Sequence, residues 1–259
     1  MESDRTYWAD CAALEWQVEL GVTDAIGDDP LDRYQLETKK PAPKPATAPT
    51  PPPTLMAEEV DPVAIARTMA SKAGDLQTLA SVMQAYEHCE LKKGARSFVF
   101  CDGQPEARVM IVGEAPGRDE DRMGKPFVGR AGQLLDRMLE AINMGRAHDD
   151  PARAVYITNV LPWRPPSNRT PDKAEIAMLL PFLERHIALA DSNLLILMGN
   201  TPCQALMGRT GITRMRGQWT EVLGKPTLPM FHPAYLLRNP IAKRKAWADL
   251  LDLNARLRG

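Results

Sequence analysis

The chain has 259 residues, 44% of them hydrophobic, with a net charge of −1, which allows one large globular domain or two small ones. No apolar run approaches the roughly 18 to 20 residues of a membrane span, which excludes a helical membrane protein. Acidic and mixed residues follow Met1-Glu2-Ser3-Asp4-Arg5, so no secretory leader is expected and a cytoplasmic location is. The near-neutral total hides a gradient. Residues 1–55 carry ten acidic and five basic side chains, whereas residues 205–259 carry ten basic and three acidic. A basic C-terminal region is either a phosphate-binding face or an ordinary solvated surface.

In chain order, Tyr7, Cys11, Leu14, Val18 and Val22 form a helical stripe within residues 7–25. Between Pro41 and Pro53, seven of thirteen residues are proline, a composition that cannot build a core. The expected organisation is a helical arm over 1–38, a flexible linker over 39–56 and an α/β domain over 57–259. Helices are expected near Pro62–Lys72 and from Asp75, a candidate N-cap, through Leu76, Leu79, Met83 and Tyr86. From Arg108 onward, strands and helices alternate. Strands are expected at Arg108–Val112, Val155–Val160, Leu194–Met198 and Pro226–Phe231. Helices are expected at Arg130–Ile142, Pro171–Leu189, Pro202–Met207, Tyr235–Leu237 and Ala242–Leu253. This alternation predicts a three-layer α/β/α sandwich around a central, mainly parallel, four-stranded sheet.

In such a sheet, ligands bind outside the carboxyl ends of the strands. Glu114 follows the first strand, Thr158-Asn159 ends the second, Gly199-Asn200 follows the third and His232-Pro233 follows the fourth. A carboxylate, an amide and an imidazole would then face one crevice, with Phe127 as a wall. Each residue also has a plainer reading. Glu114 could cap a backbone turn, Asn159 could satisfy one, His232 could be an ordinary loop histidine and Phe127 could be core. Two ligand classes are excluded. Between Gly117 and Gly124-Lys125 lie six residues rather than the four of a nucleotide-triphosphate loop, and Pro126 stands where Ser or Thr would bind magnesium. The Gly113–Gly117 turn lacks the glycine spacing of a dinucleotide site. Cys11, Cys89, Cys101 and Cys203 form no Cys-x-x-Cys pair, so reduced thiols and no metal site are expected.

Gly113-Glu114-Ala115-Pro116-Gly117, with Glu120-Asp121 and Gly124-Lys125-Pro126-Phe127-Val128-Gly129-Arg130-Ala131-Gly132, resembles the first motif of family 4 uracil-DNA glycosylases. Tyr156-Ile157-Thr158-Asn159-Val160 and Arg164-Pro165-Pro166-Ser167-Asn168-Arg169-Thr170-Pro171 resemble the second. Arg216-Gly217-Gln218-Trp219 and His232-Pro233-Ala234-Tyr235-Leu236-Leu237-Arg238 complete the set. The resemblance covers roughly residues 75–253 in the family's order.

The resemblance implies hydrolysis of the N-glycosidic bond of uracil in DNA, which starts base excision repair in the nucleoid. The target base would be flipped out of the duplex or taken from a single strand. Gly113, Ala115, Glu120, Phe127 and Asn159 would form the substrate pocket, with Phe127 stacking on the base and Asn159 reading its polar edge. His232 would donate to uracil O2, Glu114 would position or activate water, and Asn168 is a second candidate for the water. Leu236, Leu237 and Arg238 would wedge into the vacated stack, although a helix start packing on the core explains the leucines as well. Arg214, Arg216, Lys243, Arg244 and Lys245 would contact phosphates. The partner is uracil-containing DNA, single- or double-stranded, with a protein partner conceivable for the arm, no membrane and a monomeric state.

One departure is large. The family holds an iron–sulfur cluster on four cysteines, and by motif alignment those positions are Tyr86, Cys89, Trp163 and Leu179 here. A four-cysteine cluster needs four thiolates, so no 4Fe-4S cluster, no metal and no other cofactor is expected. Two other classes of function stay open in the sequence. One is a protein that binds or traps uracil-DNA with little turnover. The other is a repair or replication interaction module working through the arm.

Overall fold

A computed structural model describes residues 7, 9–14, 17 and 61–258. The chain divides into two units, Met1–Ala57 and Glu58–Gly259. In the first, residues 7, 9–14 and 17 are helical, with Tyr7 and Leu14 exposed. Val18, Val22 and the proline-rich linker lie outside the described residues.

The second unit begins with two capped helices. Asp61 accepts hydrogen bonds from the backbone N–H groups of Val63 and Ala64, and Pro62 occupies the first helical position, so Pro62–Ser71 starts sharply. Asp75 caps Leu76–Ala85 in the same way through Thr78. Both helices pack on the long helix Lys173–Ala190. That helix is opened by Asp172 and Glu175 in a reciprocal capping box.

The sheet has six strands: β1 (Cys101–Gly103), β2 (Val109–Gly113), β3 (Val155–Asn159), β4 (Leu194–Met198), β5 (Thr220–Val222) and β6 (Lys225–Met230). Their spatial order is β1-β3-β2-β4-β6-β5. The four central strands are parallel and are those expected from the apolar runs. The expectation of four strands is corrected to six, because short antiparallel strands close both edges. Neither edge strand is an apolar run: each has three residues and is only partly buried. The β5–β6 hairpin turns on Leu223-Gly224, both at positive φ (51° and 76°). A two-residue hairpin of this kind is usually announced by Asn-Gly or Asp-Gly, and Leu-Gly gives no such signal.

Side chains alternate across the sheet. Met110, Val112, Tyr156, Leu195 and Leu197 face a core shared with Leu79, Leu179, Phe182 and Leu183. Val109, Ile111, Ile157, Ile196 and Leu228 face the opposite core, against Leu135, Leu139, Leu250 and Leu253. The helices on the second face are Arg130–Glu140 and Lys243–Arg258. Two helical layers on one sheet give the expected three-layer sandwich. No helix among the described residues is long and apolar enough to cross a membrane.

Candidate active site at the strand ends

The chain passes from β2 to β3 on one side and then returns to place β4 on the other side of β2. Such a reversal opens a crevice at the carboxyl ends of the strands. A cleft of about 600 Å³ lies there, lined by Glu114, Ala115, Glu120, Phe127, Asn159, Asn168 and His232, among others. The register explains the meeting: Gly113 and Asn159 are paired residues at the ends of β2 and β3. Gly113 does not itself line the cleft but stands behind two side chains that do. A Cβ there would lie 2.4 Å from Asn159 Oδ1 and 2.5 Å from Phe127 Cε2, so only glycine lets the amide and the ring come together.

Phe127 is 5% exposed and has φ +53°, a left-handed conformation that is rare for a bulky aromatic. Its ring lies 5.3 Å from the His232 ring at an angle of 31°. Asn159 is 6% exposed, and among the described residues its side-chain amide has no hydrogen-bond partner. An unpaired, mostly buried amide facing a cleft offers one donor and one acceptor to whatever enters.

His232 caps its own helix, Pro233–Arg238, accepting the Ala234 N–H at Nδ1 (3.1 Å). Burial, helped by the charge of Arg238, lowers its pKa to about 4. The imidazole is therefore neutral near pH 7. With Nδ1 an acceptor, its proton sits on Nε2, which is left as a donor.

Glu114 Oε2 accepts a 2.5 Å hydrogen bond from Thr201 Oγ1. Thr201, 3% exposed, stands in the first turn of Asn200–Met207. Thr201 lies one residue beyond Gly199-Asn200, the pair that marks this strand end in the sequence. Glu120 lines the cleft but spends its carboxylate on the backbone. It accepts from Gly117, Val128 and Gly129 N–H groups at 3.1, 3.0 and 2.8 Å, tying the Gly113–Gly117 loop to the turn after Phe127. Asn168 accepts from Arg164 Nε at 2.7 Å, in a turn where Ser167 and Asn168 both have positive φ.

Residues 100–251 match the profile of the Uracil DNA glycosylase superfamily. A protein of Pyrobaculum aerophilum named type-4 uracil-DNA glycosylase is 36% identical over 187 residues, covering 68% of this chain and 91% of that one. One of the same name from Thermotoga maritima is 38% identical over 154 residues, covering 58% and 77%. The chain belongs to the uracil-DNA glycosylase superfamily, and within it resembles the type-4 enzymes.

Most of the basic residues expected to contact DNA are exposed, one of them on the rim of the cleft. Arg238 lies on that rim and is exposed, as are Arg214, Lys243, Arg244 and Lys245. Arg216 is engaged elsewhere. It pairs with the buried Asp249, donates to the Lys245 carbonyl and lies 5.8 Å from the centroid of the Phe231 ring. Leu236 is 1% exposed and packs with Leu134, Phe231, Ala242 and Ala246, whereas Leu237 is only partly buried. The structure thus brings Leu237, not Leu236, towards the surface.

The four positions at which the family resemblance would lead one to expect cluster cysteines fall in one apolar cluster. Tyr86, Cys89, Trp163 and Leu179 are each at most 2% exposed there. Tyr86 packs edge-on against Phe182 at 5.3 Å, and its hydroxyl donates to the Pro62 carbonyl at 2.9 Å. Trp163 packs beside Phe98 at 5.7 Å. Burial raises the Cys89 thiol above its ordinary pKa. One thiol among two aromatic rings and a leucine does not fit an iron–sulfur cluster.

Proposed function

We propose that this chain hydrolyses the N-glycosidic bond of uracil in DNA, leaving an abasic site that opens base excision repair. The observation that carries the reading is a convergence in one cleft. The partnerless Asn159 amide, the neutral Nε2 donor of His232 and the Phe127 ring all meet there.

The base enters flipped from a duplex or from a single strand and lies on Phe127. Asn159 donates to uracil O4 and accepts from N3–H. Cytosine presents the opposite pattern and leaves buried polar groups unpaired, at about 1–3 kcal/mol each. As the C1′–N1 bond breaks, its electron pair leaves with uracil, and negative charge grows at O2. The Nε2–H of His232 stabilises that charge without transferring a proton. Water adds to C1′ of the cationic sugar, and Glu114, held by Thr201, orients it and takes its proton. Asn168 supports the water side of the cleft. Gly113 and Ala115 shape the wall, and Glu120 acts through the backbone rather than on the base. Leu237 is the apolar wedge, with Arg238, Lys243, Arg244, Lys245 and Arg214 as phosphate contacts. Arg216 and Leu236 hold the supporting fold.

No step calls for a metal. The place of the relatives' cluster is taken by packing of Tyr86, Cys89, Trp163 and Leu179, and purified protein is expected to contain no stoichiometric iron or sulfide. Stoichiometric cluster iron would refute this.

The function is tested with uracil-containing single- and double-stranded oligonucleotides, followed by alkaline cleavage at abasic sites. Multiple turnovers are expected. Tight uracil-dependent binding without strand cleavage would instead identify a uracil-DNA binding protein.

A further inference from the structure

Arg146 lies in the loop between Arg130–Glu140 and β3 and is only 16% exposed along its side chain. Its guanidinium has five N–H donors, and all five have acceptors. Nε and one Nη2 hydrogen meet Asp136 Oδ1 at 2.9 and 2.8 Å. One Nη1 hydrogen meets Asp102 Oδ2 at 3.0 Å. The remaining two donors reach the carbonyl oxygens of Pro126 and Phe127, both at 2.9 Å. Asp136 belongs to the Arg130–Glu140 helix and Asp102 to the edge strand β1, so the guanidinium ties two elements to one turn.

That turn holds a strained residue of the cleft. Phe127 has φ +53°, a conformation that persists only where the surroundings over-determine it. Gly132 presses on the same place: a Cβ there would lie 1.7 Å from the Phe127 carbonyl oxygen. On the side of the turn facing the cleft, the Phe127 ring stands against Gly113 and His232.

We propose that Arg146 is a positioning residue that fixes the Phe127 ring in the cleft through the carbonyl groups of residues 126 and 127. The inference rests on the reading of Phe127 as the platform for uracil. It differs from a general structural role because its effect must pass through one ring. Lysine keeps the charge beside Asp102 and Asp136, but its three donors at a single point cannot span these acceptors.

The test compares wild type, Arg146→Lys, Phe127→Leu and the double variant on a uracil-containing single-stranded oligonucleotide. Arg146→Lys is expected to raise KM, and the inhibition constant of free uracil, about tenfold, while kcat falls less than about threefold, the pattern of lost ground-state binding. In the Phe127→Leu background the same change should add less than about twofold, since the ring it acts through is gone. Equal effects in both backgrounds would overturn the proposal. Asp136→Asn loosens the same clamp from a more exposed partner, should shift KM in the same direction, and replaces Arg146→Lys if that variant does not fold. The NMR resonances of the His232 ring, beside the Phe127 ring, report its position whatever the activity. They should shift in Arg146→Lys or in Asp136→Asn, and unchanged resonances would also refute the proposal. Wild type without uracil excision would sink the functional reading instead, and the His232 resonances would still decide the role of Arg146.

Discussion

The cleft and the patch around Cys89 are neighbours in the chain: Asn159 belongs to one and Trp163, four residues on, to the other. They are built on opposite principles. In the cleft, polar side chains are held by backbone or by one another, and a few functional atoms are left over. Glu114 is held by Thr201, His232 by Ala234 N–H, and the Asn159 amide is left unpaired. In the patch, polar atoms are consumed internally, as when Tyr86 donates to the Pro62 carbonyl, and the rest is apolar contact. The difference separates what chemistry needs from what a scaffold needs. A pocket that reads a base cannot lose one polar group without losing discrimination. A packed apolar patch tolerates exchange among side chains of similar volume.

The comparison predicts a double dissociation. In the cleft, Glu114→Gln should lower the single-turnover rate about 10²- to 10⁴-fold. His232→Ala should lower it about 10²- to 10³-fold. Binding to uracil-containing DNA should change only a few-fold, and an equal loss of binding and turnover would refute the assigned role of His232. In the patch, Leu179→Ala should cost about 2–5 kcal/mol of unfolding free energy in denaturant titration. Its excision rate at 25 °C should stay near wild type.

Acid should separate the two regions more finely. The folded pKa values of His232 (about 4) and of the buried His186 (about 3) lie below 6.5, both lowered first by burial. Between these values the unfolded chain binds protons that the folded one does not, so unfolding free energy rises with pH there. The stabilisation from both groups is complete above about pH 6.5 and is lost as pH falls towards 4 and then 3. Melting temperatures measured from pH 7.5 to 4.5 should therefore decline, whereas the excision rate should show no His232 step near pH 6.5. A rate step at 6.5 that disappears in His232→Ala would overturn the neutral assignment.

Smaller effects come from the periphery. Lys243→Ala or Arg244→Ala should each reduce the slope of log binding constant against log salt by about one, measured by fluorescence anisotropy. Cys89→Ala should be the mildest change, near 1 kcal/mol in stability and without effect on turnover.

The sequence disclosed the parallel strands most plainly where they are short, wholly apolar runs, Val109–Gly113 and Leu194–Met198. It also led to the cleft, because polar residues at strand ends must share one edge. Edge strands of three residues gave no periodicity, and the Leu223-Gly224 turn hid its hairpin. Thr201 and Arg146 stayed hidden for another reason. Each acts through a partner remote in sequence, Glu114 for one and Asp102 with the 126–127 carbonyls for the other. Burial had the same effect on Leu236 and Arg216. The residue types suit DNA contact, but tertiary packing has claimed them.

The His232 ring has one nitrogen committed to the backbone and the other left for the substrate. That division limits which residues could stand in for it. Lysine or arginine could donate but could not accept the Ala234 N–H. Serine, threonine or aspartate could accept it, but their short side chains would not carry a donor to the place of Nε2. Asparagine and glutamine both combine an accepting oxygen with a donating nitrogen, but only asparagine carries its oxygen at the same number of bonds from the backbone as Nδ1, at the cost of a shorter reach for the donor. Among substitutions at this position, His232→Asn is therefore the one expected to keep helix Pro233–Arg238 anchored while retaining a remnant of catalysis.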